Sequence, residues 1–222
     1  MDDPRNIIVI GNSPSVLQYC YGDLIDKFDM VIRCNWYKIK GFERHVGTKT
    51  SIWAAAVGDE FIRAVKKPNK THNLNEIIDP TKSTNLKVWL RRAAGKRGDK
   101  LLSTWHEKYP DIEYAQIPTS WHKHHIGMCA LKKAVITFPL AKLYSIGNTF
   151  YTEKHENRKG RFHYYDFHLD HSDMSKNRAP NGHNADNEKV VLEKLPVTVL
   201  ENFPEEEMRK KIKNEIQRQK RR

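Results

Sequence analysis

Small polar residues suited to binding a phosphate or a sugar directly follow an apolar run near the start of the chain. Residues 7–10 read Ile-Ile-Val-Ile, and residues 11–15 read Gly-Asn-Ser-Pro-Ser. Gly11 permits close approach of a ligand to the backbone, while Ser13 and Ser15 supply hydroxyls and amide donors for a phosphate or a sugar edge. Gly, Asn, Ser and Pro are also general turn formers, so an ordinary strand-to-helix turn is the alternative interpretation.

A second group of residues with ligand chemistry stands at 168–173, which reads His-Leu-Asp-His-Ser-Asp. Imidazole and carboxylate groups bind divalent metals, so this cluster raises the alternative of a metal-dependent hydrolase or phosphotransferase. Its spacing matches no known metal motif, and clustered ligands in a predicted loop are usually solvated. We therefore favour a solvated loop and predict no metal site.

The chain is strongly basic. Its 39 Lys and Arg residues against 27 Asp and Glu residues give a net charge of +12 at pH 7, with the excess concentrated at 82–108 and 209–222. A basic surface can bind nucleic acid, an acidic membrane or an anionic substrate. Neither basic stretch contains a nucleic-acid motif or the interleaved aromatic residues that stack on bases. We predict no nucleic-acid partner, and a basic nucleic-acid-binding module is the alternative.

The apolar segments that must position these residues predict an α/β fold. The runs at 7–10, 30–33 and 51–57 lack polar alternation, which is typical of strands buried on both faces in a parallel sheet. A predicted helix at 125–135 and a strand at 142–146 form a second unit that ends in small polar residues. Open α/β sheets bind ligands at the carboxyl ends of their strands. We therefore expect a mostly parallel central sheet flanked by helices, in a chain whose 222 residues suit one well-packed domain.

The C-terminal segment 205–222 is predicted to be a basic helix that follows a main domain at 1–204. It begins with three glutamates and continues with lysines and arginines, the order that the helix dipole favours. Its apolar residues Met208, Ile212 and Ile216 form a thin stripe. A surface helix with a frayed basic end is our interpretation, and peripheral contact with an anionic membrane is the alternative.

No stretch of the chain approaches the ~20 apolar residues that a membrane-spanning helix needs, and the N-terminal residues do not form a signal peptide. Cys20, Cys34 and Cys129 make an odd number of cysteines, and two of them lie in or beside apolar runs. Buried free thiols in a reducing compartment fit this pattern. We therefore expect a cytoplasmic protein of bacterial or viral type, peripheral at most to the inner membrane face.

Residues 7–53 resemble the long sialylmotif of the family 29 sialyltransferases. The residues that carry the resemblance are Tyr21-Gly22, Ile25-Asp26, Phe28-Asp29, Arg33, Asn35, Gly41-Phe42-Glu43 and Val46-Gly47-Thr48-Lys49-Thr50. The turn at 11–15 and the segment 33–35 also resemble the bacterial family 42 sialyltransferases. Because the family 29 match is long and ordered, it is more specific than any single turn.

Three later segments resemble the remaining motifs of the same family, in the family's order. His125-Ile126-Gly127, followed by the predicted helix and strand, resembles the short sialylmotif without the hydroxyl pair that precedes the family's glycine. His163-Tyr164-Tyr165-Asp166 resembles the third motif. His183 and Glu188 form the His-x4-Glu pattern of the very short motif. Together with the long motif, these segments cover about half of the chain.

The resemblance implies a Rossmann-like sheet in a variant GT-A arrangement and an activity that moves sialic acid from CMP-sialic acid to a hydroxyl of an acceptor glycan. The implied reaction is inverting and needs no metal or other cofactor, because hydrogen-bond donors can offset the charge of a single leaving phosphate. The implied acceptor ends in galactose or sialic acid, with residues 152–182 as a lid or acceptor loop. Transfer of another CMP-activated acid sugar, such as Kdo, is the alternative.

The resemblance also implies roles for individual residues. His183 is the general base that takes the proton of the acceptor hydroxyl, and His163 donates to the departing phosphate. Glu188 orients a helix start. The animal enzymes join their long and short motifs by a disulfide, for which Cys34 with Cys129 would be the analogue, as the alternative to the free thiols expected above. Tyr151 matches a family 42 tyrosine that also donates to the phosphate. The implied donor-binding residues are Asn12, Ser13, Pro14, Ser15, Asn35, Gly127 and Tyr151.

Overall fold

Seven strands form one sheet within the residues that this computed structural model describes, namely 5–57, 86–92, 96–112, 114–121, 124–148 and 185–220. The strands are β1 (Asn6–Ile10), β2 (Met30–Cys34), β3 (Ile52–Val57), β4 (Lys87–Arg92), β5 (Tyr114–Gln116), β6 (Lys142–Ile146) and β7 (Val197–Val199). They lie in the order β5-β4-β3-β2-β1-β6-β7, and each neighbouring pair is parallel. The predicted, mostly parallel sheet is confirmed, and every pairing between the described strands is parallel.

The strand order reverses beside β1, which pairs with β2 on one side and with β6 on the other. Ile7 lies opposite Met30 of β2 and opposite Leu143 of β6. Such a reversal opens a crevice at the carboxyl ends of the two strands that flank it, and open α/β sheets bind ligands there. In this fold the crevice lies where β1 and β6 end.

Helices cover both faces of the sheet, which explains why β1 is apolar almost throughout. The α-helices are α1 (Gly22–Ile25), α2 (Glu43–Val46), α3 (Lys96–Lys108), α4 (Ile126–Thr137), α5 (Ala185–Glu193) and α6 (Glu205–Lys220). Successive side chains of a strand point to opposite faces. Ile7 and Val9 therefore pack in the cluster that contains α4, whereas Ile8 and Ile10 pack in the cluster that contains α1 and α6.

The C-terminal helix α6 shares the core of the sheet. Its Met208 and Ile212 are buried in the same cluster as Ile8, and Ile216 packs partly buried against that cluster. The predicted apolar stripe is therefore a packing face, and charged residues beside it, Arg209 and Glu215, form ion pairs with Asp23 and Lys142. Among the described residues, no helix combines the length and the apolar content that crossing a membrane requires.

All three cysteines are free thiols. Cys34 and Cys129 are buried, and burial raises the pKa of both thiols above the ordinary value. The structure thus has the free thiols expected from the sequence, and it does not have the disulfide between the long and short motifs that the resemblance implies.

Candidate active site

The turn after β1 is held against the end of β6 by backbone hydrogen bonds. The Gly11 N–H donates to the Ile146 carbonyl at 2.8 Å, and the Ser13 N–H donates to the Gly147 carbonyl at 3.0 Å. A Cβ at Gly11 would overlap the Gly147 carbonyl oxygen, so the two segments can approach this closely only with glycine at position 11. The predicted ligand-binding turn therefore forms one wall of the crevice.

Asn12 joins this turn to the end of β2. Its Nδ2 donates to the carbonyl oxygens of Cys34 at 2.9 Å and Trp36 at 2.7 Å. Its Oδ1 is buried and has no hydrogen-bond partner among the described residues. Buried polar atoms are rarely left without a partner, so this oxygen is a candidate contact for a donor group of a ligand.

Ser13 and Ser15 form a buried hydroxyl pair at the start of a 3₁₀ helix, Pro14–Gln18. Ser13 Oγ accepts from the Ser15 N–H at 3.3 Å and lies 3.1 Å from Ser15 Oγ. Pro14 suits the first helical position because that position needs no N–H donor. Ser15 Oγ also lies 3.2 Å from Oε1 of Glu201, a residue that follows β7. The two hydroxyls thus connect the turn to the end of β7, and their contact with a donor substrate stays a prediction.

Asn35 adopts a left-handed conformation at the end of β2, with a φ of 50°. Asparagine is one of the few residues other than glycine that tolerate this conformation. Its N–H donates to the Ala54 carbonyl at 2.7 Å, and its Oδ1 accepts from the Ala56 N–H at 3.1 Å. The Trp53 indole donates to its carbonyl at 2.7 Å. These bonds tie the end of β2 to β3, so Asn35 lies on the β2 side of the turn after β1.

Asn148 fills the space between the turn after β1 and the first turn of α4. Its Nδ2 donates to the Val9 carbonyl at 3.2 Å and to Ser145 Oγ at 2.9 Å. Its Oδ1 occupies the place that a Cβ at either Gly11 or Gly127 would enter. The structure therefore brings the turn of the long motif and the helix start of the short motif to one place.

Two residues of this crevice, Asn148 and Glu201, were not predicted. Asn148 comes two residues after the buried strand β6, which is the signal that selects Asn35 after β2, so the sequence could have revealed it. Glu201 also follows a strand closely, but β7 is short and only half-buried and carries no comparable signal.

Glu188 of α5 holds the start of α4. Its carboxylate, 1% exposed, accepts from the backbone N–H of His125, the N-cap residue of α4, and contacts Nδ1 of the same residue. Nδ1 of His124 lies 3.4 Å from this carboxylate. Burial and the Lys132 cation lower the pKa of His124 below its ordinary value, against the opposing effect of Glu188. Glu188, which belongs to α5, thus orients the start of α4 and not the start of α5.

A cavity of about 620 Å³ continues the crevice toward β7. Ser15, Asn148 and Glu201 contribute to its lining on the crevice side, while α5 and α6 add Lys189 and Lys211. Pockets of this size commonly hold small-molecule ligands. The cavity combines hydrogen-bonding groups with two cations, which suits a sugar or an anionic ligand.

Several predicted features lie outside the described residues: Tyr151, His163, His183, the loop at 152–182 and the possible metal cluster at 168–173. Their roles stay predictions, as do the family 42 features. Among the residues that the structure describes, no group of three or more His, Cys, Asp or Glu side chains could hold a metal ion. The predicted residues that the structure does bring together at the crevice are Asn12, Ser13, Pro14, Ser15 and Gly127, with Asn35 one strand away.

Comparison with known proteins places these features in a family. The sequence model of glycosyltransferase family 29 (sialyltransferase) matches residues 2–130. A beta-1,6-galactosyltransferase of Arabidopsis thaliana is 54% identical over 44 residues, which are 20% of this chain. A CMP-N-acetylneuraminate-beta-1,4-galactoside alpha-2,3-sialyltransferase of Mus musculus is 44% identical over 48 residues, which are 22% of this chain. These segments span only 11% of the plant enzyme and 13% of the mouse enzyme.

The fold is similar to that of a mammalian sialyltransferase whose crystal structure contains Gal-beta-1-3GalNAc-ortho-nitrophenol. The two structures align with a TM-score of 0.51 and 14% sequence identity, over 88% of this chain and 69% of the solved one. At this identity the likeness concerns the fold alone. It confirms the predicted Rossmann-like arrangement of GT-A type, a parallel sheet flanked by helices.

Proposed function

The chain belongs to glycosyltransferase family 29, and from this premise we propose that it transfers sialic acid from CMP-sialic acid to a hydroxyl of an acceptor glycan. One observation carries the proposal. The family match over residues 2–130 includes both the turn at 11–15 and the start of α4, and these two segments meet at Asn148 in the crevice between β1 and β6. Sheet crevices of this kind bind nucleotides in open α/β folds.

The donor is held, in this proposal, by the groups at the carboxyl ends of β1 and β2. Asn12, Ser15 and Asn35 contact the nucleotide and its phosphate, and Gly11 and Gly127 leave the space in which Asn148 joins the turn after β1 to α4. The N-terminus of α4 supports this arrangement, because amide groups at a helix start stabilise an anion. A CMP leaving group carries one phosphate, so these donors can offset its developing charge without a divalent ion.

The transfer step inverts the anomeric carbon. His183 takes the proton from the acceptor hydroxyl while the oxygen forms a bond to that carbon. The bond between the carbon and the phosphate oxygen breaks, and CMP leaves with hydrogen bonds from His163 and Tyr151. The contact between Glu188 and His125 supports this assignment, because it attaches α5 to the start of α4 and His183 precedes Ala185 of α5 by two residues.

The acceptor in this proposal ends in galactose or sialic acid, and contact of the C-terminal helix with an anionic membrane stays the alternative to a plain surface helix. Such a contact would be electrostatic, because the apolar residues Met208 and Ile212 are buried in the core. Attraction of this kind comes from lysines and arginines near the surface and weakens with salt.

A second function is favoured by a specific observation, the match to the plant galactosyltransferase. The identity of that match, 54%, exceeds the 44% of the match to the mouse sialyltransferase. The same crevice would then hold a nucleotide-activated galactose, and the acceptor hydroxyl would attack its anomeric carbon in the same way.

Release of the nucleotide from a panel of donors tests the proposal. The protein is incubated with CMP-sialic acid, CMP-Kdo or UDP-galactose and with galactosides or sialosides as acceptors. We expect CMP release and product only with CMP-sialic acid, unchanged by EDTA. Release of UDP alone would favour galactosyl transfer, and loss of activity in EDTA would contradict a metal-independent reaction. In the same assay His183→Ala should lower turnover by ~100-fold or more while CMP still binds, the scale expected for loss of a general base.

A further inference from the structure

One oxygen of the Glu201 carboxylate links the ends of three strands. Glu201 lies in the 3₁₀ helix Leu200–Asn202 after β7, where the neighbouring Leu200 is fully buried and anchors the helix in the core. Its Oε1 accepts from the Gly147 N–H after β6 at 2.6 Å and lies 3.2 Å from Ser15 Oγ in the segment after β1. The position of the donor-binding turn relative to β6 and β7 thus depends on this side chain.

Gly147 is held through both of its backbone polar groups. Its N–H donates to Glu201, and its carbonyl accepts from the Ser13 N–H at 3.0 Å. Gly147 is buried and has a φ of +70°. Its N–H shares a peptide plane with the Ile146 carbonyl, which accepts from the Gly11 N–H at 2.8 Å, so Glu201 and Gly11 hold this plane from opposite ends. Loss of the Glu201 oxygen would leave a buried donor unsatisfied and release Ser15 on the same side. The two serines of the turn and the backbone that leads into Asn148 would then shift together.

We expect this arrangement to depend on the length of the Glu201 side chain more than on its negative charge. Burial raises the pKa of the Glu201 carboxyl above its ordinary value, although the hydrogen bonds from Gly147 and Ser15 act in the opposite direction. The second oxygen, Oε2, is buried and has no hydrogen-bond partner among the described residues. One well-placed acceptor oxygen is therefore all that the contacts of Glu201 with its neighbours use.

We propose that Glu201 is a positioning residue, which acts through Ser15 and the Gly147 peptide to hold the crevice in the geometry that binds the nucleotide of the donor. The inference rests on the proposed transfer from a CMP-activated donor. It adds a residue after β7 to the donor site, outside the segment 2–130 that matches the family.

Two substitutions distinguish the length of the Glu201 side chain from its negative charge. Glu201→Gln keeps the length of the side chain and an acceptor oxygen, whereas Glu201→Asp keeps the charge and shortens the reach. Glu107→Ala is the control, since Glu107 is an exposed carboxylate of α3 and does not line the cavity. The donor KM and kcat are measured by CMP release, the dissociation constant of CMP by calorimetry, and folding by thermal melting.

Glu201→Asp and Glu201→Ala are expected to raise the donor KM and the CMP dissociation constant by about tenfold, the effect of one lost hydrogen bond to a buried group. Their kcat should change less than their KM. Glu201→Gln and Glu107→Ala should stay within about threefold of the wild type, since neither loses the contact that carries the effect. Glu201→Asp and Glu201→Gln remain informative if Glu201→Ala does not fold.

Three results would overturn the inference. CMP affinity and donor KM could be unchanged in Glu201→Asp, with only the apparent kcat falling in proportion to lost folded protein, which would make the role merely structural. Glu201→Gln could be impaired while Glu201→Asp is not, which would make the charge decisive. A wild-type protein that neither binds CMP nor releases it from a donor would instead refute the proposed function, and this inference with it.

Discussion

At the scale of single residues, the glycines of the crevice and Asn148 act as one unit. Gly11 and Gly127 leave the space that the Asn148 Oδ1 occupies, and a Cβ at either position would overlap it. The Asn148 side chain cannot move aside without losing its hydrogen bonds to Val9 and Ser145. Close approach of β1, β6 and α4 therefore requires small residues at two positions and an amide at a third.

Gly127→Ala is expected to destabilise the protein by about 1–3 kcal/mol, the range for overpacking a well-packed site. In an Asn148→Ala background the added methyl would meet only the Cβ of residue 148, at 4.0 Å. There the same change should be neutral or stabilising by up to about 1 kcal/mol, because alanine favours a helix over glycine. Urea denaturation of both single variants and the double variant measures this coupling. Equal destabilisation in the two backgrounds would contradict the packing described here.

Membership in a motif does not place a residue at the ligand. Arg33 belongs to the long motif, yet its side chain is fully buried. Its guanidinium donates to the carbonyl oxygens of Val46 at 2.7 Å and Lys49 at 2.9 Å, and to the Thr50 hydroxyl at 3.0 Å. These partners compensate the burial of the charge. Arg33 therefore holds the loop that follows α2.

At the scale of elements, a buried carboxylate attaches α5 to α4. Glu188→Ala is expected to lower the free energy of unfolding by about 2–4 kcal/mol, because the N–H and Nδ1 of His125 both lose this partner. Each lost hydrogen bond to a buried group costs roughly 1–3 kcal/mol. Glu188→Gln should cost less, since its amide oxygen can still accept from the N–H. Urea denaturation measures both.

The exposed Glu193 on the same helix provides the matched control for this change. Glu193→Ala should change the free energy of unfolding by no more than about 0.5 kcal/mol, as is usual for surface substitutions. A Glu188→Ala variant as stable as Glu193→Ala would show that the contact with α4 contributes nothing to the fold.

The elements differ in how far the sequence predicts them. Apolar runs without alternation predict β1, β2 and β3, because a strand covered on both faces needs apolar residues at nearly every position. Strand order depends on pairings between segments distant in sequence, such as β1 with β6, and local patterns do not encode it. The meeting of Gly11 with Asn148 follows from that order, so only the fold reveals it. The stripe of α6 likewise predicts a helix but not its place in the core.

At the scale of the whole molecule, positive charge opposes compactness as the pH falls. The net charge is +12 at pH 7, and the 11 histidines add to it on acidification. Glu215 counteracts this repulsion where the basic helix α6 meets β6, through Lys142 at 2.8 Å and the Tyr144 hydroxyl. Burial raises the pKa of Glu215, but the hydrogen bonds from Lys142 and Tyr144 outweigh it and hold that pKa below its ordinary value.

A carboxyl whose pKa is lower in the folded state stabilises the fold above its unfolded pKa, and this contribution is lost as the pH falls through the folded pKa. Glu215→Gln should therefore melt roughly 2–6 °C below the wild type at neutral pH, for a loss of about 1–2 kcal/mol. The two melting temperatures should converge as the pH falls through the lowered pKa of Glu215, where the carboxyl takes up its proton. Glu207→Gln, a change at an exposed carboxylate of the same helix, serves as the control and should melt with the wild type throughout. A difference between Glu215→Gln and the wild type that stays constant as the pH falls through the titration of the carboxyl would show that the charge of Glu215 is not what holds α6 to the sheet.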